Sequence, residues 1–289
     1  MPQVEPRHTT AAHTSRESAS GLLAFVALSY AVTWAAFLAV ARWTPAHTGP
    51  GYALVLFGAY APGMVALFLT ARAEGRQGVR ALLSRILVAD VPVRLYLLAL
   101  TYIAAIKVTA ALLHRVLTGV WPPFGAGSLA LIPLAIALSM PFQAGEEVGW
   151  RGFALPRLAD RFGLRIASLL VGVIWALWHL PQFYIAAADT YHQSFLVWGA
   201  QVVAMSTAFA WLYAKSGGSL LLVMLMHSAI NNSKDIVASG AADPPGVFSL
   251  NAPLMAWLVL GLLWISAAYF LARMPPKVTP LPMLEVRRP

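Results

Sequence analysis

The sequence predicts an all-α protein, a polytopic membrane helix bundle of about eight transmembrane helices with both termini cytoplasmic. Three observations carry that expectation. Of 289 residues, 59% are hydrophobic and only 11% charged, and the mean hydropathy is +0.70, far from the balance of a water-soluble domain. Apolar runs of about 20 residues, the length that crosses ~30 Å of hydrocarbon, recur along the chain. Lysine and arginine are gathered into alternate connections between those runs.

Taken in order, residues 1–20 are polar, lack a core pattern and contain two prolines, so they are expected to form a disordered tail. A cleaved secretory signal is not expected, because the first apolar run is over 20 residues long and leads into Arg42 and Trp43. The spans fall at 21–42, 52–71, 95–114, 128–156, 166–184, 194–214, 219–234 and 252–272. The fourth is apolar over its full length only if the helix continues through a pair of carboxylates, and the seventh ends in Asn231, Asn232, Ser233 and Lys234. Residues 73–94 contain GVRALLSRILVADVPVR, which suits a short interfacial helix. The bundle occupies 21–273, and 274–289 is a basic, Pro-rich tail.

Orientation follows from the cations. Arg7, Arg16, Arg72, Arg76, Arg80, Arg85, Arg94, Arg157, Arg161, Arg165, Lys215, Arg273, Lys277, Arg287 and Arg288 share one side, fifteen in all, against Arg42, Arg115 and Lys234 on the other. The crowded side is expected to be cytoplasmic. The net charge of +9 then meets anionic lipid, and no nucleic-acid partner is needed to explain it. The chain has no cysteine, which excludes disulfides, thiolate metal sites and thiol catalysis.

Ionisable groups within apolar spans cost several kcal/mol unless paired or hydrated, so they mark functional sites. The fourth span carries Glu146, Glu147 and Arg151 in AGEEVGWRG. Glu147 and Arg151 are four apart, on one helical face and able to pair. Glu146 projects about 100° away and is less fully answered by the arginine, which suits a general base. The fifth span holds His179 four residues after Trp175, and the seventh holds His227 and Asn231 at i and i+4. Counted at 1.5 Å per residue from the arginine-rich ends, Glu146 lies ~15 Å in, His179 roughly 20 Å, His227 ~12 Å and Asn231 ~18 Å. All can meet at one level, in a cavity expected to open toward the cytoplasm. The inventory suits water activation, with a carboxylate taking the proton, an imidazole assisting, and His with Asn facing an oxyanion. No GxSxG or HExxH occurs, so hydrolysis without a covalent intermediate is the natural class. Trp150 and Trp178 read as packing aromatics.

At these residues the chain resembles a known family. EEVGWR is similar to the EExxxR motif, WALWH to FxxxH and HSAIN to HxxxN of the CPBP (CAAX protease and bacteriocin-processing, or Abi) intramembrane proteases, which include the type II CAAX prenyl endopeptidases. The resemblance covers about 128–235. It implies that Glu146 activates water with His179 assisting, that His227 and Asn231 stabilise the oxyanion, and that Glu147 and Arg151 support the site. Trp175 stands where the family usually has Phe, so an aromatic one turn before the histidine is kept. The implied substrate is a membrane-anchored peptide, of the prenylated CAAX type in some members; the implied location is a bacterial cell membrane with the site facing the cytoplasm. Glu146, His179 and His227 could also make a zinc site with an open water position. Asn is a poor zinc ligand, and the metal-free glutamate mechanism accounts for every motif residue. A non-proteolytic alternative, a scaffold, immunity protein or transporter, draws on Lys107 in the third span, although no repeated halves are visible.

Overall fold

The computed structural model describes residues 9–44, 46, 48–125, 127–233, 236 and 246–277, of which 9–20 are described by backbone alone. Among them there is no strand. The helices are α1 (Thr9–Trp43), α2 (Gly49–Ser84), α3 (Val93–Thr118), α4 (Ile132–Ser139), α5 (Ala144–Glu147), α6 (Leu155–Trp178), α7 (Phe195–Lys215), α8 (Leu220–Asn231) and α9 (Leu254–Ala272). Among the described residues six stretches are long and apolar enough to cross a membrane: Gly21–Trp43, Gly49–Leu87, Val93–Thr118, Leu129–Tyr184, Phe195–Lys215 and Leu254–Ala272. Leu129–Tyr184 holds the fourth and fifth runs predicted from sequence, separated by non-helical backbone at Gly163 (φ +76°), and Leu220–Asn231, the seventh, is a shorter apolar helix. The chain is an integral membrane protein.

Two expectations change in detail. α1 starts at Thr9, so the polar segment joins the first helix without a break, and residues 1–8 and 278–289 lie outside the described residues. The fourth span is not one regular helix. Pro141 cannot donate to the helical ladder, and the chain passes from α4 through a 3-10 turn at Met140–Gln143 into α5, then through a π-helical segment at Val148–Ala154 before α6.

Lipid tails are as apolar as leucine, so burying leucine does not hold such a bundle together; close packing and interhelical hydrogen bonds do. Large apolar side chains accordingly face outward, as at Leu138 and Ile265, while Ala61, Ala66, Ala110, Ala167, Ala204 and Ala208 lie in the interior. A Cβ on Gly172 would come within 2.8 Å of Val203 Cα, which is how near α6 lies to α7. Thr33 Oγ1 donates to Gly58 O at 2.7 Å between α1 and α2. Trp178 Nε1 donates to Thr33 Oγ1 at 2.8 Å, Ser206 Oγ to Ser168 O at 2.9 Å, and Tyr102 and Ser266 share a hydroxyl bond of 2.7 Å between α3 and α9.

Contacts between segments distant in sequence define the two ends. At one, Arg157 meets Glu74 at 3.1 Å, Ser219 Oγ donates to Val88 O at 2.6 Å, Trp211 Nε1 donates to Arg273 O at 3.2 Å, and Arg85 donates to Tyr213. This end carries eleven described cations: Arg72, Arg76, Arg80, Arg85, Arg94, Arg157, Arg161, Arg165, Lys215, Arg273 and Lys277. The remaining four counted from sequence, Arg7, Arg16, Arg287 and Arg288, fall where no side chain is described. At the other end Phe195 N donates to Val247 O at 2.8 Å, and Ala36, Phe37, Val40 and Ile185 pack together. It carries Arg42 and Arg115, Lys234 lying outside the described residues. The predicted interfacial segment forms the last part of α2, turned off the spanning part at Gly75, whose φ of +63° a residue with a side chain rarely adopts. Leu82 in it is buried, against the π-helical segment at Gly152.

Candidate active site

The glycines of AGEEVGWRG explain how two glutamates reach the interior. A Cβ on Gly145 would lie 2.8 Å from the Tyr60 ring, and one on Gly149 would lie 2.7 Å from the Pro62 backbone. The same close approach holds from the other side, where a Cβ on Gly63 would lie 2.7 Å from Gly145 O. With no side chains between them, α2 and the Ala144–Ala154 segment pack backbone to backbone. π-helical turns insert an extra residue into the ladder and gather at functional sites; this one begins directly after Glu147 and carries Arg151.

Glu147 is fully buried. One Arg151 nitrogen, Nη1, donates to both carboxylate oxygens, at 2.9 and 3.1 Å. The guanidinium is also buried, with its carbon 4.2 Å from the ring centres of both Trp175 and Phe209. Aromatic faces attract a desolvated cation, so the rings hold what the carboxylate leaves over. His227 Nδ1 lies 2.7 Å from Glu147 Oε1. A carboxylate paired with arginine can only accept, so Nδ1 carries the proton and Nε2 is left for the cavity.

Glu146 points elsewhere. Its Oε2 accepts from Trp175 Nε1 at 2.7 Å. One turn on, His179 Nδ1 lies 2.7 Å from the Trp175 carbonyl; a carbonyl cannot donate, so here too Nδ1 carries the proton. The imidazole is wedged among aromatic edges, 4.6 Å from Trp178 and 5.0 Å from Trp198 by ring centre. Opposite stands a polar bank. Asn232 Nδ2 donates to Ser139 Oγ at 2.7 Å, Ser139 and Ser228 share a bond of 2.6 Å, and Asn231 Nδ2 reaches Gln143 Oε1 at 3.4 Å.

Glu146 from α5, His179 at the end of α6, and His227 and Asn231 from α8 line one cavity of about 600 Å³. Glu147 and Arg151 stand behind it, outside its lining. Trp150 and Trp178 are absent from the lining and fully buried, as packing residues. Lys107 does line the cavity, with Nζ donating to Ser233 O at 3.0 Å. Two participants escaped sequence reasoning. Trp175 was expected only to pack, yet its indole N–H holds the glutamate; the signal was available, since Trp has a donor that Phe lacks. Gln143, one turn before the glutamates, was passed over as the end of an apolar run.

The direction of opening is corrected. The lining includes exposed Ala187 and Asp189, together with Thr190, Gln193, Ala46 and Val55, all from the end away from the arginines, and none of the arginine-rich turns. The cavity therefore opens opposite to the end expected. The depth count measured only from the arginine-rich side, whereas α8 is 12 residues long, about 18 Å, and stops short of the far surface.

Zinc finds no fit. Among the described residues no three His, Asp or Glu side chains are grouped so as to hold a metal ion. Glu147 is engaged by Arg151 and His227, and one oxygen of Glu146 by Trp175.

Comparison with known proteins reaches the same stretch. The family profile described as type II CAAX prenyl endopeptidase Rce1-like matches residues 126–233. CAAX prenyl protease 2 of Methanococcus maripaludis is 31% identical over 99 residues, 32% of this chain. The matched stretch spans 36% of that protein's length, about a third. Residues 126–233 hold every side chain of the cavity's motif set, and over them the chain is similar to the type II CAAX prenyl endopeptidases, the CPBP-family proteases that its three motifs resemble.

Proposed function

We propose that this protein is an intramembrane endopeptidase that hydrolyses a peptide bond of a membrane-anchored substrate with water activated by Glu146, without a metal. The observation that carries the proposal is the convergence of Glu146, His179, His227 and Asn231 on one cavity with a buried, already neutralised Glu147–Arg151 pair behind them. Similarity to a CAAX prenyl protease supports it.

The roles follow from hydrogen-bond chemistry. Trp175 takes one oxygen of Glu146 and leaves the other to accept a proton from water. His179, with Nδ1 donating to the Trp175 carbonyl, presents an unprotonated Nε2 that can relay that proton to the leaving amine. Asn231 can donate its amide N–H to the developing oxyanion. His227 can do so through Nε2 only when it carries both protons, and Glu147 is then its counter-ion. Water adds to the carbonyl, the C–N bond breaks, and the amine departs with the proton.

An anchor confines the scissile bond near the bilayer and replaces a three-dimensional search with a local one. The test uses purified protein and paired peptides, identical except for a farnesyl-like group on a cysteine three residues from the C-terminus, with a third peptide anchored by an acyl chain. Release of the terminal fragment should require an anchor, persist in chelator and vanish in Glu146→Gln. Chelator-sensitive cleavage would overturn the metal-free mechanism. No cleavage of any anchored peptide by folded protein would move the assignment to a non-proteolytic scaffold or carrier, the class to which Lys107 in the cavity would then belong.

A further inference from the structure

The cavity and the cations lie at opposite ends of the bundle, and that separation has a consequence for the substrate. Eleven described lysines and arginines sit at one end and two at the other. A bias of that size in short connections sets orientation, with the crowded end in the cytoplasm. The cytoplasmic end is closed. Leu82 and Leu220 are buried there beside Gly152, Arg157 is paired with Glu74, and Arg85 with Tyr213. The mouth, with exposed Ala187 and Asp189, belongs to the other end. α8 begins beside Val88 at the closed end, through Ser219, and after about 18 Å ends at Asn231 in the cavity wall. Against ~30 Å of hydrocarbon this leaves roughly 10 Å at the outer side without an α8 wall, and the mouth occupies that level.

We infer that the site is entered from the extracytoplasmic side, and that its substrates are peptides tethered to the outer leaflet with the scissile bond held just below that surface. The inference rests on the endopeptidase reading for its substrate and on geometry alone for its side. It removes cytosolic prenylated C-termini from the physiological substrates, although such a peptide can still be cut when detergent abolishes sidedness. The Gln182–Gln193 connection lining the mouth is then a determinant of which peptide enters.

Because the chain has no cysteine, single cysteines report side directly. Ala187→Cys at the mouth and Arg161→Cys at the opposite end are treated with a membrane-impermeant maleimide in intact spheroplasts. We expect Ala187→Cys to react at once and Arg161→Cys only after permeabilisation; the reverse pattern overturns the assigned side whether or not the protein is a protease. In proteoliposomes sorted by the same label, an acyl-anchored peptide is supplied to one leaflet at a time. Cleavage confined to the Ala187 side supports the inference. Cleavage confined to the Arg161 side overturns it and leaves the endopeptidase reading intact. Labelling of Ala187→Cys from outside with no cleavage from either side retires the endopeptidase reading and the substrate half of the inference with it.

Discussion

The two ends of this bundle are built on opposite plans. Around Gly149 and Gly63 the backbones of α2 and the broken helix touch, Gly145 packs on the Tyr60 ring and Gly152 on the Leu82 and Leu220 side chains, and a carboxylate, a guanidinium and two aromatic rings fill the interior. Toward the far end the helices part around about 600 Å³, lined by amides, hydroxyls and imidazoles on an apolar wall that includes Ile185, Met205 and Leu263. The adjacent glutamates straddle that boundary. Glu147 faces the packed half with its charge matched at 2.9 Å, and Glu146 faces the hollow half, held at one oxygen by an indole. Neighbours in sequence can thus differ wholly in work, and the difference is set by which half of the bundle each one enters.

The sharpest way to break this comparison is to neutralise each glutamate. Glu146→Gln removes the proton acceptor and nearly preserves shape, so cleavage should fall by at least ~10³-fold with thermal unfolding in detergent unchanged. An active Glu146→Gln protein would end the water-activation assignment. On the packed side the damage should be to stability. Arg151→Met leaves Glu147 buried without its cation, a loss of about 3–5 kcal/mol for a broken buried pair. Thermal unfolding should drop well below that of Glu146→Gln; equal melting temperatures would mean that the pair is not structural.

The glycine contact is the next rung. Gly149→Ala puts a methyl group 2.7 Å from the Pro62 backbone, which cannot step aside as a flexible side chain can. Overpacking of this kind costs about 1–3 kcal/mol. Gly261 in α9 is the control, since a Cβ there meets nothing within 4 Å. Unfolding of Gly149→Ala at or above the temperature of Gly261→Ala would show that the two backbones do not need to touch.

Much of this was legible because bilayer physics writes large signals. Six apolar stretches announce themselves by length, and Glu147 with Arg151, four apart, announces a pair. His179, His227 and Asn231 stood out because polar groups in lipid are rare. The break at Pro141 and the π-helical turn were not legible: hydropathy averages over them, and the extra residue in the ladder depends on how Gly149 meets α2. The direction of the mouth was misread for a related reason. A depth count assumes every helix spans, and α8, rich in leucine and methionine, gives no local sign that the helix stops at Asn231.

The smallest expected effect concerns the residue that joins the two halves. Trp175 touches the packed side through the Arg151 guanidinium, 4.2 Å from its ring, and the hollow side through Glu146 and its own carbonyl to His179. Trp175→Phe keeps an aromatic face for the cation and the same carbonyl for the histidine, and deletes only the indole N–H. If that N–H orients the carboxylate, kcat should fall about 10-fold, the low end of a hydrogen bond to a charged group at ~1.5 kcal/mol, with KM unchanged. Trp175→Leu should add a loss of stability, because Arg151 then lacks one of its two rings. A Trp175→Phe enzyme with wild-type kcat would show that packing alone holds Glu146, and that the indole bond seen here contributes nothing to turnover. Trp175 already lines the cavity, so a rise in KM with kcat intact would instead mean that its indole contacts the substrate rather than orienting the base.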